Sequence, residues 1–224
     1  MTCYWAQFEN RNGDMFRYDT RVYLQPIIKP SNTDDICIGA IIGKNPGSAQ
    51  PADFNETTLQ PVQLGNDKLL PNVKSILIQA HEKAEIEINN NHNKYIQVLN
   101  LFYLCDRNLR EAIIRINNLP DPPKCRSENS KFDFILYSWG GSDNGIDDYK
   151  DRFVNNPLTD NHIWYDYRSH ETEKSIPCKD DFVKHIQGLR HEFIVPYIAE
   201  ILKKIICRNE YPYTTQEKWD IQLR

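Results

Sequence analysis

Long apolar runs are missing from this chain. No stretch approaches the ~20 residues that a membrane-spanning helix needs, and the mean hydropathy is −0.65. The opening MTCYWAQFENRNGD carries no basic-then-apolar leader, so a cytoplasmic location without membrane attachment is expected. Paired cysteines are missing too. Cys3, Cys37, Cys105, Cys125, Cys178 and Cys207 are scattered, with no Cys-x-x-Cys spacing. They read as reduced, mostly structural thiols, without zinc or iron–sulfur spacing, and no cofactor is expected. Positive charge is not in excess. A net charge of −4 argues against a protein that coats polyanions, but it leaves room for a local basic groove. No internal repeat, Walker loop, Ser-His-Asp arrangement or paired-carboxylate motif stands out. What remains is a globular composition of 224 residues, 40% of them hydrophobic, enough for one sizeable α/β domain. A monomer is the default expectation.

Strand and helix signals alternate along the chain. Residues 16–28 (FRYDTRVYLQPII) read as an edge strand or hairpin, with Pro26 and Pro30 at its exit. Residues 36–42 form an apolar core strand. Residues 48–72 read as a long polar loop. Val73, Ile76, Leu77, Ala80 and Ala84 recur at helical spacing, in a pattern that runs to about Ile88. A second strand covers 95–103, and a helix covers 109–117, with Asn108 and Glu111 as its capping box. Third and fourth strands lie at 132–139 and 162–167. Asp180 is placed to cap a helix bearing Phe182, Ile186, Leu189 and Phe193. Pro196 then kinks that helix or begins another, with Tyr197, Ile201, Leu202 and Ile205 apolar. Four apolar strands separated by helical segments predict a single three-layer α/β/α domain with a mostly parallel central sheet. An N-terminal hairpin (1–34) would precede the core (35–207), and a tail (208–224) would follow it.

In a parallel sheet the carboxyl ends of the strands share one rim, where ligands bind. The first strand ends abruptly in Gly43-Lys44-Asn45-Pro46-Gly47-Ser48, a polar turn with one amide side chain. The second carries Asn100. The third ends in Trp139-Gly140-Gly141-Ser142, and the fourth runs into His170. Each alone has a plain explanation as a turn residue, a loop anchor or a surface histidine. Their ordered recurrence points to one crevice.

These motifs resemble the uracil-DNA glycosylase superfamily over about residues 35–170. Gly43-Lys44-Asn45-Pro46-Gly47 resembles the Gly-x-Asn-Pro-Gly motif of its mismatch-specific branch. Val98-Leu99-Asn100 is similar to the strand whose asparagine reads the base in the uracil-specific branch. Leu136-Tyr137-Ser138-Trp139-Gly140 is similar to the strand-to-glycine turn that follows. A second likeness is to a family of small uncharacterised bacterial proteins. Its pattern is matched by Asn45-Pro46-Gly47, by Asn100-Leu101-Phe102 with Arg107, and by Trp139-Gly140. One motif departs. Where the superfamily has His-Pro-Ser, this chain has Arg168-Ser169-His170-Glu171-Thr172, with the histidine alone. The cysteines of the iron–sulfur branch are absent.

The resemblance implies a DNA glycosylase, with DNA as partner. Such an enzyme flips a nucleotide, holds the base edge, places a water and stabilises the leaving base anion. On that basis Asn45 would position the water, Asn100 would pair with the base edge, and His170 would hydrogen-bond the base O2. Phe54 matches the region that supplies a stacking ring, and Gly47 leaves the pocket open. Lys44, Ser48, Arg107, Gly140, Gly141 and Ser142 would face DNA phosphates. In the uracil-specific branch a tyrosine stands where this chain has Gly47, and its ring blocks substituents at C5. A mispaired or 5-modified pyrimidine, as in modified phage DNA, is therefore the expected substrate, unless Phe54 or Tyr103 fills the gap. Two other classes stay open. One is a non-catalytic nucleotide or nucleic-acid binder of the same fold. The other is an interaction protein that docks through its tail (211–219).

Overall fold

The computed structural model describes residues 1–52, 58–88, 92–141, 143–155 and 158–210, with 206–210 as backbone only. Phe54, Ser142, the Cys207 side chain and the tail from 211 onward lie outside the described residues. Nine strands form one sheet in the order β4-β5-β1-β2-β6-β3-β7-β8-β9. They are β1 (Thr2–Arg11), β2 (Asp14–Ile27), β3 (Ile36–Gly43), β4 (Gln50–Pro51), β5 (Gln60–Gln63), β6 (Lys94–Asn100), β7 (Ile135–Tyr137), β8 (His162–Asp166) and β9 (Glu171–Glu173). The helices are α1 (Leu69–Ala84), α2 (Leu109–Asn117), α3 (Asp147–Val154) and α4 (Val195–Glu210). Among the described residues no helix is long and apolar enough to cross a membrane.

The expectation of a mostly parallel sheet is corrected. The four strands read from the sequence do run parallel, as β6-β3-β7-β8. The pairs β4–β5, β5–β1, β1–β2, β2–β6 and β8–β9 are all antiparallel, which makes the sheet mostly antiparallel. The cause lies at the N-terminus. Asn12 and Gly13, both at positive φ, close a hairpin whose twist suits two antiparallel strands. Its second strand then caps the free edge of β6. The residues 16–28 are thus a hairpin arm inside the sheet and not an edge. The supposed loop at 48–72 contains β4, β5 and the start of α1.

Alternation along the strands sends neighbours to opposite faces. Ile41, Val98 and Leu136 join one core with α1 and α4. Ala40, Ile42, Leu99, Ile135 and Tyr137 join the other, with Ala112 and Ile116 of α2 and Phe153 of α3. Helix α1 buries Val73, Ile76, Leu77 and Ala80 at helical spacing, each large side chain contributing about 1.5–3 kcal/mol. Helix α2 occupies its expected residues, with the Asn108 side chain accepting the Glu111 amide at 3.4 Å. Pro196 sits in the first turn of α4, where its missing N–H costs little. The helix expected from Asp180 is absent. Val183 makes an isolated bridge to Asp166, and Ile186–Gly188 and His191–Phe193 are single 3-10 turns.

Candidate functional site

Strand β3 lies between β6 and β7. The chain passes from β3 to one neighbour and later returns to the other, so the loops after β3 and β7 part at the carboxyl rim. Open α/β sheets place ligands at such a reversal. Here the two loops meet closely. A Cβ built on Gly140 would lie 3.4 Å from Lys44 Nζ and 3.5 Å from the His185 Cβ, and Gly140 itself has φ +79°. Lys44 forms an ion pair with Asp143 just beyond.

Asn100 ends β6 beside Gly43, its parallel partner. A Cβ on Gly43 would lie 3.0 Å from Asn100 Oδ1, so glycine makes room for the amide. The Asn100 side chain is buried, and its Nδ2 has no hydrogen-bond partner among the described residues. Its backbone is held firmly. Arg152 Nη2 donates to the carbonyls of Asn100 and Leu101 at 3.2 and 2.6 Å, while Arg152 Nε pairs with Glu128 at 2.8 Å. A buried amide N–H without an acceptor costs about 1–3 kcal/mol. A held backbone bearing an unpaired donor suits a group that meets its partner in a ligand.

Asn45 is half-buried. Its Nδ2 donates to the Asp106 carbonyl at 3.0 Å, which ties the loop after β3 to the loop after β6. Its Oδ1 accepts no hydrogen bond from the described residues. Asp106 in turn accepts the Asn108 amide at 2.7 Å and pairs with Arg115. Gly47 has φ +70°, and no described residue lies within 4 Å of where its Cβ would sit. Ser48 and Arg107 are exposed, and Arg107 makes no ion pair with the described residues. A Cβ on Gly141 would clash with the Phe182 ring at 2.7 Å.

The histidine expectation is displaced. His170 is exposed at φ +60° in the turn from β8 to β9. Its Nδ1 lies 3.4 Å from the Tyr165 hydroxyl, and its ring meets Tyr167 edge-on. Tyr167 packs on Phe182, which packs on Gly141, so two rings stand between His170 and the rim. The histidine beside Lys44 and Gly140 is His185. It sits in an irregular segment where the sequence predicts a helix, and hence went unmarked. Its Nδ1 accepts the Gln187 amide at 3.3 Å. A neutral ring therefore carries its proton on Nε2. Burial lowers its pKa, as do the charges of Lys44 and Lys184, with Asp67 opposing.

Two further groups were invisible to the sequence reading. Arg17 is fully buried on β2, with Asp67 Oδ2 3.8 Å from its Nη1. Arg17 Nε and Nη1 make no hydrogen bond to the described residues. Asp67 Oδ1 accepts the Leu69 amide at 2.7 Å and so caps α1. Cys105 lies near Arg17, but burial pushes its thiol up to about 11, so it is no thiolate at neutral pH. No group of three or more metal-ligating side chains occurs among the described residues.

His81, His162 and His185 all have lowered pKa values, with burial the leading cause. Below the ordinary histidine value near 6.5 the unfolded chain takes up protons that the fold refuses. Stability should therefore be full above that value and fall as pH drops through it. Melting curves from pH 7.5 to 5.0 measure this, and His185→Gln should make the acid-side loss shallower. An unchanged slope in that variant would mean that His185 titrates normally in the fold.

No protein-family model, curated protein or solved structure matches this chain.

Proposed function

We propose that this rim is the active site of a DNA glycosylase that releases a flipped pyrimidine and leaves an abasic site. The observation that carries the reading is the buried, unpartnered Nδ2 of Asn100 at the carboxyl end of β6. In this reading the amide donates to O4 of a uracil or thymine, or to N3 of a cytosine, while its Oδ1 accepts from the neighbouring ring or amino N–H, two bonds on one base edge. As the C1′–N bond breaks, its electron pair passes to the base and positive charge develops on the sugar. Asn45 Oδ1 holds the water that captures C1′, and the proton this water loses ends on the departing base anion. His185 takes the part expected of His170. Its neutral ring offers Nε2–H to the base O2 as charge builds, with no proton to be lost first. Lys44 stands beside Gly140 with its charge shared with Asp143.

The absence of any described residue within 4 Å of a Cβ at Gly47 supports a pyrimidine substituted at C5, because rejecting a group needs a clash. The test is a panel of oligonucleotides bearing uracil, thymine or bulky 5-substituted cytosines, paired and mispaired, followed by alkaline cleavage at abasic sites. Excision of at least one substituted base is expected. Gly47→Tyr should keep uracil and lose thymine by about 10-fold or more, at a strain cost of roughly 1–2 kcal/mol for a side chain at positive φ. Oligonucleotide binding with no abasic product from any base would leave a non-catalytic nucleic-acid binder.

A further inference from the structure

The open face of the N-terminal hairpin carries a second concavity, away from the crevice between β3 and β7. It is a groove of about 700 Å³. Residues 7, 9 and 11 of β1, Tyr18 and Asp19 of β2, the segment after β2 and residues 124–127 line it. Its charge is uneven. Arg11 is paired with Glu9 at 2.7 Å, and Asp19 with Arg21 at 2.9 Å, so the groove's two acids are already neutralised. Lys29, Lys124 and Arg126 are exposed and make no ion pair with the described residues. Three uncompensated cations thus share one groove on a chain whose net charge is −4. On the groove floor the Tyr18 hydroxyl is buried and completes no hydrogen bond with the described residues, and Glu9 beside it is held by Arg11. Burial raises the pKa of Tyr18, so its hydroxyl remains a donor.

The groove wall is wired to the rim. Glu128 Oε1 accepts the Cys125 amide at 3.1 Å, and the Cys125 thiol accepts the Asp19 amide at 3.3 Å. Glu128 also pairs with Arg152, which holds the Asn100 carbonyl. At the hairpin tip Arg11 is in register with Asp14. Asp14 pairs with Arg115, Arg115 with Asp106, and Asp106 takes the Asn45 amide.

We propose that this groove binds the phosphodiester backbone of a nucleic-acid strand flanking the nucleotide held at the rim. The proposal rests on the glycosylase reading for what the rim holds. Lys29 comes from the segment after β2 and Lys124 and Arg126 from the segment before 127, so two separate stretches of chain bring cations to one groove. Contacts of this kind position a strand without reading its bases, and they release counterions.

The test uses the full chain and a fluorescent homopurine oligonucleotide, which offers no pyrimidine to the rim. Affinity is followed by anisotropy between 50 and 300 mM salt. In the triple variant Lys29→Gln, Lys124→Gln, Arg126→Gln the slope of log affinity against log salt should shrink by about 2, at about 0.7 per lost phosphate contact, and low-salt affinity should fall at least about 10-fold. The three side chains are exposed, so the melting temperature should hold. Asn100→Ala should bind this strand like the parent. An unchanged slope and affinity in the triple variant would overturn the groove, even if excision is found. Loss of binding in the triple variant, with no excision by the parent from any oligonucleotide, would keep the groove and refute the glycosylase reading. Competition by inorganic phosphate at a concentration that leaves ionic strength unchanged would assign the groove to single phosphates and overturn the strand proposal.

Discussion

Asn100→Ala is expected to lower pyrimidine excision by at least about 100-fold and to leave the melting temperature within about 3 °C of the parent. The combination is unusual for a fully buried position. Truncating a buried side chain ordinarily opens a cavity or strands a partner. Here the Nδ2 has no partner among the described residues to strand. Removing a buried polar group that is itself unsatisfied recovers part of its desolvation cost, which offsets the small cavity. Excision on a labelled duplex and a thermal melt together decide the matter. A variant that melts much lower but cuts normally would make Asn100 a core-holding amide with no part in base recognition.

A large loss of stability is expected from a residue with no chemical role. Gly39 lies in β3 where its register against β6 shifts. A Cβ there would fall 2.5 Å from Cε1 of Phe134 and 2.7 Å from its Cδ1. The ring is fully buried among the side chains under α1 and α4, and the Phe134 carbonyl accepts the Ala40 amide at 2.9 Å. Neither ring nor strand has room to withdraw. Gly39→Ala should cost about 3 kcal/mol, or roughly 6–12 °C in a chain of this size. Adding Phe134→Leu should return part of that, since the two changes share one contact. A loss under about 1 kcal/mol for the single variant would mean that the sheet shifts more freely than its packing implies.

The parallel strands were legible because each is an apolar run buried on both faces. The Asn108 cap and the Pro196 helix start were legible because their chemistry is local. Strand β1 was not. Its register against β2 shifts twice, which breaks the alternation that marks a strand. Helix α3 was missed because it is short and acidic at its start, and Lys150 is among the few residues it buries. The segment 180–193 shows helical spacing of apolar residues, yet those side chains enter the core from a bridge and two short turns. At the rim, Asn45, Asn100 and Gly140 were legible from motif and position. Arg17 was not, because Phe16 and Tyr18 beside it read as the buried face. The opposite face is covered as well, and no local pattern announces a helix that arrives fifty residues later.

The tight hairpin that opens the chain has a consequence for how the protein is made. Strands β1 and β2 are joined by a two-residue turn and can pair within microseconds of leaving the ribosome. The edge of β2 that carries Val22 and Tyr23 is completed only by β6. Between Ile27 and Lys94 lie all of β3, β4, β5 and α1, roughly 3–13 s of synthesis at about 5–20 residues per second. Throughout that interval the strand edge stays open to pairing with other chains. The nascent chain's most vulnerable moment therefore comes between the synthesis of β2 and that of β6, and slow codons in this stretch would lengthen it.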